Sequence, residues 1–401
     1  MRFEPLTLTR PTPESAARFC ALPYDVFDRA EARANVEAHP GSFLEIDRAE
    51  TSFPPDHDMY APEVYARAAE LLAEREADGT LVEEDAPRYF LYRQRTPSGH
   101  VQTGIVGGFS TADYDAGLVR RHERIRPEKL GDRIAHIGAC RAQTGPIFLT
   151  YRDSPAVDAV VDRVAQGAPL LSFDACDGVA TSVWRVGDPA DEEALRRGLA
   201  DVSGAYIADG HHRCAAAVET ARRAGADGLV LAVLYPAGQL ACLPYNRVVA
   251  DAAGLSPAGL ADAVRAAGFE VAPADGPVEP EGPGRYGMYH AGRWWRLRAE
   301  GRPACGDPVA ALDAQVLQDR VLAPVLGVED PASSPRIEFV GGVRGLGELE
   351  RRAGASGVAF SLHATTIAQL MDVADAGRLM PPKSTWFEPK ILSGLFAHRI
   401  G

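Results

Sequence analysis

The run Asp209-Gly210-His211-His212-Arg213 concentrates more chemistry than any other stretch of this sequence. It follows a short apolar run, Tyr206-Ile207-Ala208, and precedes the Ala-rich segment His211 to Ala224. That order predicts a strand, a break at Asp209-Gly210, and a helix. The first N–H groups of a helix lack intrahelical partners, and the helix dipole adds positive potential there, so such a junction suits an anion. Arg213 adds a planar guanidinium matched to phosphate oxygens. Gly210 allows a positive φ or a close approach of backbone to ligand. Asp209 could hold Mg²⁺, and His211 and His212 could donate hydrogen bonds to phosphate or carry protons. The competing expectation is plainer: Asp209 as an N-cap and both histidines on the surface.

Other polar constellations are less specific. Lys383-Ser384-Thr385 has the ending of a P-loop without its glycines, so it is not a Walker motif. Lys383 and Ser384 could reach a phosphate or a substrate carboxylate, or could belong to a buried, Pro-stiffened C-terminal lock; Lys390 falls in the same set. Tyr24-Asp25 reads either as part of a loop closing over a ligand, with Asp25 meeting a substrate ammonium, or as a turn in which Asp25 caps the helix over ARANVEAH. Arg133, with Lys129 and Asp132, could neutralise phosphate or be ordinary charge on a helix surface. Asp56-His57-Asp58 offers metal-binding residue types but sits in a Pro-rich loop without a second cluster. Trp294-Trp295 alternates faces of a strand, so one ring packs inward and the other could face solvent, with core packing the favoured reading.

The elements that must carry these residues are readable from periodicity. Pro62 opens a helix with Val64, Ala68, Leu71 and Leu72 on one face and Gly79 as its stop. RYFLYRQRT and HVQTGIVGGFS, joined at Pro97-Ser98-Gly99, read as a hairpin. The middle of the chain alternates strand, loop, helix, strand, helix, strand, an α/β pattern. Helices follow near 256–267 and 309–323, with a hairpin turning at Ala291-Gly292. Strands at RIEFV and GVAFSL and a helix over TTIAQLMDVADAG complete the pattern. The boundaries fall at 1–102 for an N-terminal α/β extension, 103–250 for the core and 251–401 for a C-terminal α/β domain.

Bulk properties narrow the function classes. The chain has 401 residues, 46% of them hydrophobic, enough for folded domains rather than disorder. A formal net charge of −13 argues against a general nucleic-acid binder, although Arg120, Arg121, Arg124 and Arg126 form a local basic run. Cys20, Cys140, Cys176, Cys214, Cys242 and Cys305 are widely spaced, which suits buried small apolar residues rather than a disulfide or zinc framework. No stretch approaches the ~18 apolar residues of a membrane span, and the N-terminus lacks a secretory core, so a cytoplasmic protein is expected.

The DGHHR box, an upstream His122-Glu123, the segment GPIFLTY with Pro146, and YIADGHHRCAAA together resemble the ParB/sulfiredoxin-like superfamily, and in particular its free-serine kinases. The whole chain also resembles a bacterial family carrying a domain of unknown function, through LPYDVF, Ser42-Phe43-Leu44, the HER segment, DGHHR and MPPKSTWFEPK. The interval from Glu123 to Asp209 is longer than the compact kinase core, which requires an insertion. The resemblance implies a ParB/sulfiredoxin-like central domain with N- and C-terminal α/β extensions. It further implies transfer of a phosphoryl group from ATP or ADP, with Mg²⁺, to the hydroxyl of a small metabolite such as serine. Glu123 would be the base. Asp209 and His211 would act at the reacting centre, and Gly210, His211, His212, Arg213, His122 and Arg133 would hold the nucleotide. The expected partners are nucleotide and small-molecule substrate, with a homo-oligomer compatible and neither nucleic acid nor membrane involved. Two alternatives are a nucleotide-binding switch or NTPase without an acceptor, and a metal-dependent hydrolase using Asp209, His211 and His212.

Overall fold

The run Thr103-Gly104-Ile105-Val106-Gly107-Gly108 is poor in side-chain volume yet sits at the middle of a sheet, and its glycines are what its neighbours require. The computed structural model describes residues 1–225, 228–301 and 306–400. It divides into two compact units: one of 1–121, 125–240 and the segment from 389 onward, the other of 122–124 and 241–388. Both are mixed α/β.

In the first unit the sheet strands are β1 (Phe3–Glu4), β2 (Phe90–Arg95), β3 (Val101–Ser110), β4 (Val119–Arg120), β5 (Ile147–Tyr151), β6 (Leu171–Asp174), β7 (Ala180–Arg185), β8 (Ala205–Asp209) and β9 (Leu229–Pro236). Their order is β4-β8-β5-β9-β3-β2-β7-β6, with β1 added to β3. The β4–β8 and β5–β9 pairs are parallel and the other pairs antiparallel. β2 and β3 form the expected hairpin, with Tyr92 opposite Gly104. Gly104 leaves room for Val233 and Tyr235, and Gly107 for Phe3.

The longer helices of this unit are α1 (Arg29–Ala38), α2 (Pro62–Ala77), α3 (Pro127–Cys140), α4 (Pro155–Val164), α5 (Pro189–Ala200) and α6 (His211–Arg223). α2 buries Val64, Ala68, Leu71 and Leu72, the face its periodicity predicted. α3 packs against both α2 and α6. The interval before Asp209 is filled by α4, β6, β7 and α5, and β7 extends the sheet from β2. α1 is capped by Asp28, not Asp25: Asp28 accepts from the Glu31 N–H and Glu31 returns the bond, a capping box. Asp28 is the residue directly before the first helical turn, where a carboxylate reaches the unpaired N–H groups.

The second unit carries β10 (Tyr245–Val249), β11 (Phe269–Ala274), β12 (Arg285–His290), β13 (Arg293–Ala299), β14 (Ile337–Gly341) and β15 (Val358–Leu362), in the order β11-β13-β12-β15-β10-β14. Its labelled helices are α7 (Pro257–Ala266), α8 (Leu346–Ala353) and α9 (Ile367–Asp375). The helix expected near 309–323 is an α-helical turn, Asp313–Leu317, that widens to a π-helical turn over Gln318–Leu322. Both faces of the sheet are covered, so both tryptophans are buried, in keeping with the core-packing reading and not with an exposed ring on one face. Trp295 packs among Leu297, Tyr286 and Phe360, whereas Trp294 lies with Val340 and Leu349 on the opposite face and donates to Glu350.

Cys20, Cys140 and Cys214 are buried, but Cys242 is half-buried and Cys176 exposed, so only three fit the apolar expectation; Cys305 lies outside the described residues. Among the described residues no helix is long and apolar enough to cross a membrane.

Two stability predictions follow from this packing. Gly104→Ala forces a methyl group into the contact shell of Val233 and Tyr235, and should cost about 1–3 kcal/mol in urea unfolding. Asp28→Ala removes the cap of α1 and should cost roughly 1 kcal/mol in the same measurement.

Candidate functional site

The strand–helix junction forms as its sequence suggests, but its ends are held differently. Tyr206, Ile207 and Ala208 are buried, and the register of β8 on β5 slips between Ile207 and Asp209. Such a bulge re-aims the residue that follows it. Gly210 then takes φ 86°, and α6 begins at His211. Gly210, not Asp209, occupies the N-cap position, and no side chain caps the helix. A Cβ at Gly210 would come within 3.0 Å of the Arg213 Nε and Nη2 atoms, so glycine is needed for both its dihedral and the approach.

Asp209 is committed on both oxygens. Its Oδ1 accepts from the Gly210 N–H at 2.8 Å, and its Oδ2 accepts from Lys390 Nζ at 3.0 Å. The Lys390 side chain is only 11% exposed, against 27% for Asp209. Lys390 is fixed from the backbone side as well: its carbonyl accepts from Gln94, which pairs with buried Gln102, and Gln102 also reaches the Pro389 carbonyl.

Arg213 has the least satisfied cation of this region. Its Nη1 makes a long bond of 3.4 Å to the Pro146 carbonyl, and its buried Nε has no hydrogen-bond partner. Burial works against its charge, yet the nearby carboxylates of Asp25 and Asp209, followed by Tyr24 and Asp47, raise its pKa, so it remains a guanidinium. Arg133 is also buried rather than solvated on the helix surface. Its Nε pairs with Asp132 Oδ2 at 2.9 Å, and its guanidinium lies 4.2 Å from the centre of the Tyr24 ring. Asp132 in turn accepts from the Tyr65 hydroxyl at 3.0 Å. Burial opposes the Arg133 charge, while Tyr24 and Asp132 raise its pKa.

Tyr24, Asp47, Arg133, His136, Arg213 and Ser393 line a cavity of about 330 Å³ including its mouth. Burial pushes the Asp47 carboxyl and the Tyr24 phenol up. Burial, then Arg133, holds the His136 imidazole well below its ordinary value, so it is neutral near pH 7. His136 Nε2 lies 3.7 Å from Asp47 Oδ1 and 3.4 Å from Thr144 Oγ1. Asp47, His136, Thr144 and Ser393 were not singled out from the sequence. His136 had a usable signal, since it follows Arg133 by one helical turn and so shares its face.

The remaining candidates separate. His211 is buried, and His212 Nε2 accepts from the Arg126 N–H at 3.1 Å, so neither is a plain surface histidine. Asp25 is exposed beside Tyr24. His122 and Glu123 belong to the second unit, as do Lys383 and Ser384. His122 is buried; its carbonyl accepts from the Met380 N–H and its ring meets Thr385 Oγ1 at 3.5 Å. Glu123 is half-buried. Ser384 is buried and donates to the Pro381 carbonyl, and the exposed Lys383 lies over the Tyr245 ring. His57 stacks on Phe53 and faces Glu63, and no group of three His, Cys, Asp or Glu among the described residues is placed to hold a metal.

Several solved structures match this chain at low similarity. A conserved hypothetical protein from Pyrococcus furiosus is 15% identical with a TM-score of 0.36, covering 72% of this chain and 92% of its own. A free serine kinase mutant in complex with ADP is 13% identical with a TM-score of 0.36, covering 71% and 87%. SbnI from Staphylococcus aureus, truncated at its C-terminus, is 12% identical with a TM-score of 0.38, covering 72% and 85%. No curated protein matches the sequence. A family model described as "Protein of unknown function (DUF1015)" matches residues 3–315, and the chain belongs to that family.

Proposed function

We propose that this protein is a small-molecule kinase that moves a phosphoryl group from ATP or ADP to the hydroxyl of a small metabolite, serine or a serine-like amino acid. The observation that carries the reading is the Arg213 guanidinium, charged, with a buried Nε lacking a partner, one turn into a helix that has no side-chain cap. A phosphate oxygen at that end would satisfy Nε and the first helical N–H groups together. The central unit is proposed to be a ParB/sulfiredoxin-like domain, as the DGHHR pattern implies.

In this reading Gly210, His211, His212 and Arg213 hold the nucleotide phosphates, with Arg133 reinforcing the positive side of the cavity and His122 contributing from the HE element. Glu123 accepts the proton of the substrate hydroxyl. The hydroxyl oxygen bonds to the terminal phosphorus, and the bridging P–O bond breaks, leaving ADP from ATP or AMP from ADP. Lys390 neutralises Asp209 in the resting protein and can turn to a phosphate oxygen once nucleotide arrives. Tyr24 and Asp25, with Lys383 and Ser384, are the proposed substrate contacts.

The donor set fits a magnesium ion that arrives on the phosphates better than one held by the chain alone, because Asp209 is a single carboxylate already facing Lys390. Bound there, magnesium would spread the charge of the transferring oxygens. The hydrolase alternative needs three ligands and lacks them, since Asp209, His211 and His212 do not form a metal-ligating group.

A thermal-shift series with Mg²⁺ and each nucleotide is the direct test. Saturation 100-fold above Kd should add about 2.7 kcal/mol of stability with ATP or ADP. Asp209→Asn and Arg213→Lys should each remove most of that shift. No shift with any nucleotide would refute the reading. Glu123→Gln should retain the shift while slowing formation of phosphorylated product by ~100-fold or more. Wild-type turnover in that variant would remove Glu123 as the base, and binding with slow hydrolysis but no phosphorylated metabolite would identify a switch instead.

A further inference from the structure

Within the second unit, Arg247 on β10 is 3% exposed, and no carboxylate among the described residues forms an ion pair with it. Its Nη1 donates to the Tyr245 carbonyl and its Nη2 to the Pro382 carbonyl at 3.3 Å, while the guanidinium lies 4.9 Å from the centre of the Phe339 ring. Carbonyls and an aromatic face compensate a buried cation only in part, and a charge without a counter-charge is costly to bury. The cost is visible in the group itself: burial pushes its pKa down to about 10, which still leaves it protonated at neutral pH.

Arg247 opens onto a small cavity lined also by Tyr245, His363, Thr365, Gln369 and Ser384. Gln369 uses its carbonyl oxygen in the capping box of α9, accepting from the Thr366 N–H, so its NH₂ remains as a donor. Asp313 is at the wall, but both of its oxygens face the Gly284 N–H. Lys383, adjacent to Ser384, is held at φ 55°, a conformation that residues other than glycine rarely adopt, with its ammonium 5.7 Å from the centre of the Tyr245 ring. Backbone strain of this kind persists only where the surroundings impose it.

We infer that this cavity binds a small oxyanion, a carboxylate or phosphate group, with Arg247 as its buried counter-charge and Lys383 as a second cation at its edge. The site lies wholly in the second unit; it shares Lys383 and Ser384 with the proposed substrate contacts but needs neither Arg213 nor the DGHHR helix end.

Isothermal titration of the full chain at constant ionic strength tests it, with inorganic phosphate and, separately, acetate as probes. We expect a saturable site for at least one probe that persists in Arg213→Lys. Arg247→Lys should weaken it by ~10-fold or more, because an ammonium cannot reproduce the guanidinium fork, and Lys383→Gln by about 3-fold. Phosphate alone, acetate alone, or both would assign the chemical class. Absence of saturable binding by either probe in Arg213→Lys would overturn the inference, as would unchanged affinity in Arg247→Lys. If Arg247→Lys fails to fold by circular dichroism, the exposed Lys383→Gln decides: unchanged affinity there overturns the inference too.

Discussion

The helix end at Asp209–Arg213 depends on the absence of a side chain at Gly210. The bulge in β8 turns the chain, a left-handed residue takes it into α6, and the space a Cβ would fill is occupied by the Arg213 guanidinium. Any other residue would both strain the backbone and displace that guanidinium. The charge of Arg213 therefore stays beside the junction, within the field of Asp209, Asp25, Tyr24 and Asp47. These acidic groups keep a buried cation charged, and the same cation sits where a helix dipole adds positive potential.

Two of the buried arginines are accommodated in different ways. Arg133 has a direct carboxylate partner, Asp132, and an aromatic ring, Tyr24, over its face. Arg247 has two carbonyls and a ring but no carboxylate partner among the described residues, and its affinity for the proton falls accordingly. A paired arginine is a structural element in its own right. One left without counter-charge leaves electrostatic work for a ligand to do.

Local features were legible in the sequence because local physics determines them. The α2 face, the β2–β3 hairpin, the strand into DGHHR and the capped helix at Thr366 all rest on periodicity, turn chemistry or capping within a few residues. The pairing of Lys390 with Asp209 spans 181 positions and no short-range pattern encodes it. Arg133 looked like surface charge because its partner Tyr24 lies more than a hundred residues earlier, and Asp47 and His136 look unremarkable until α3 is packed. For Trp294-Trp295 a strand's alternation identifies two faces without saying that both are covered. The cap of α1 lies three residues beyond Asp25, at Asp28, which forms a capping box with Glu31.

Lys390 gives the first unit an order of assembly. This unit is discontinuous: its chain runs to Leu240, leaves for the second unit, and resumes at Pro389. Gln94, Gln102 and Asp209 are synthesised early, yet the backbone and ammonium they hold arrive only 181 or more residues later, roughly ten to thirty-five seconds of translation after Asp209. Until then Asp209 lacks its counter-ion and the paired amides lack their backbone acceptors. The nascent first unit is thus incomplete, and the segment from Pro389 onward acts as the closing strap that ties down a junction begun near the middle of the chain.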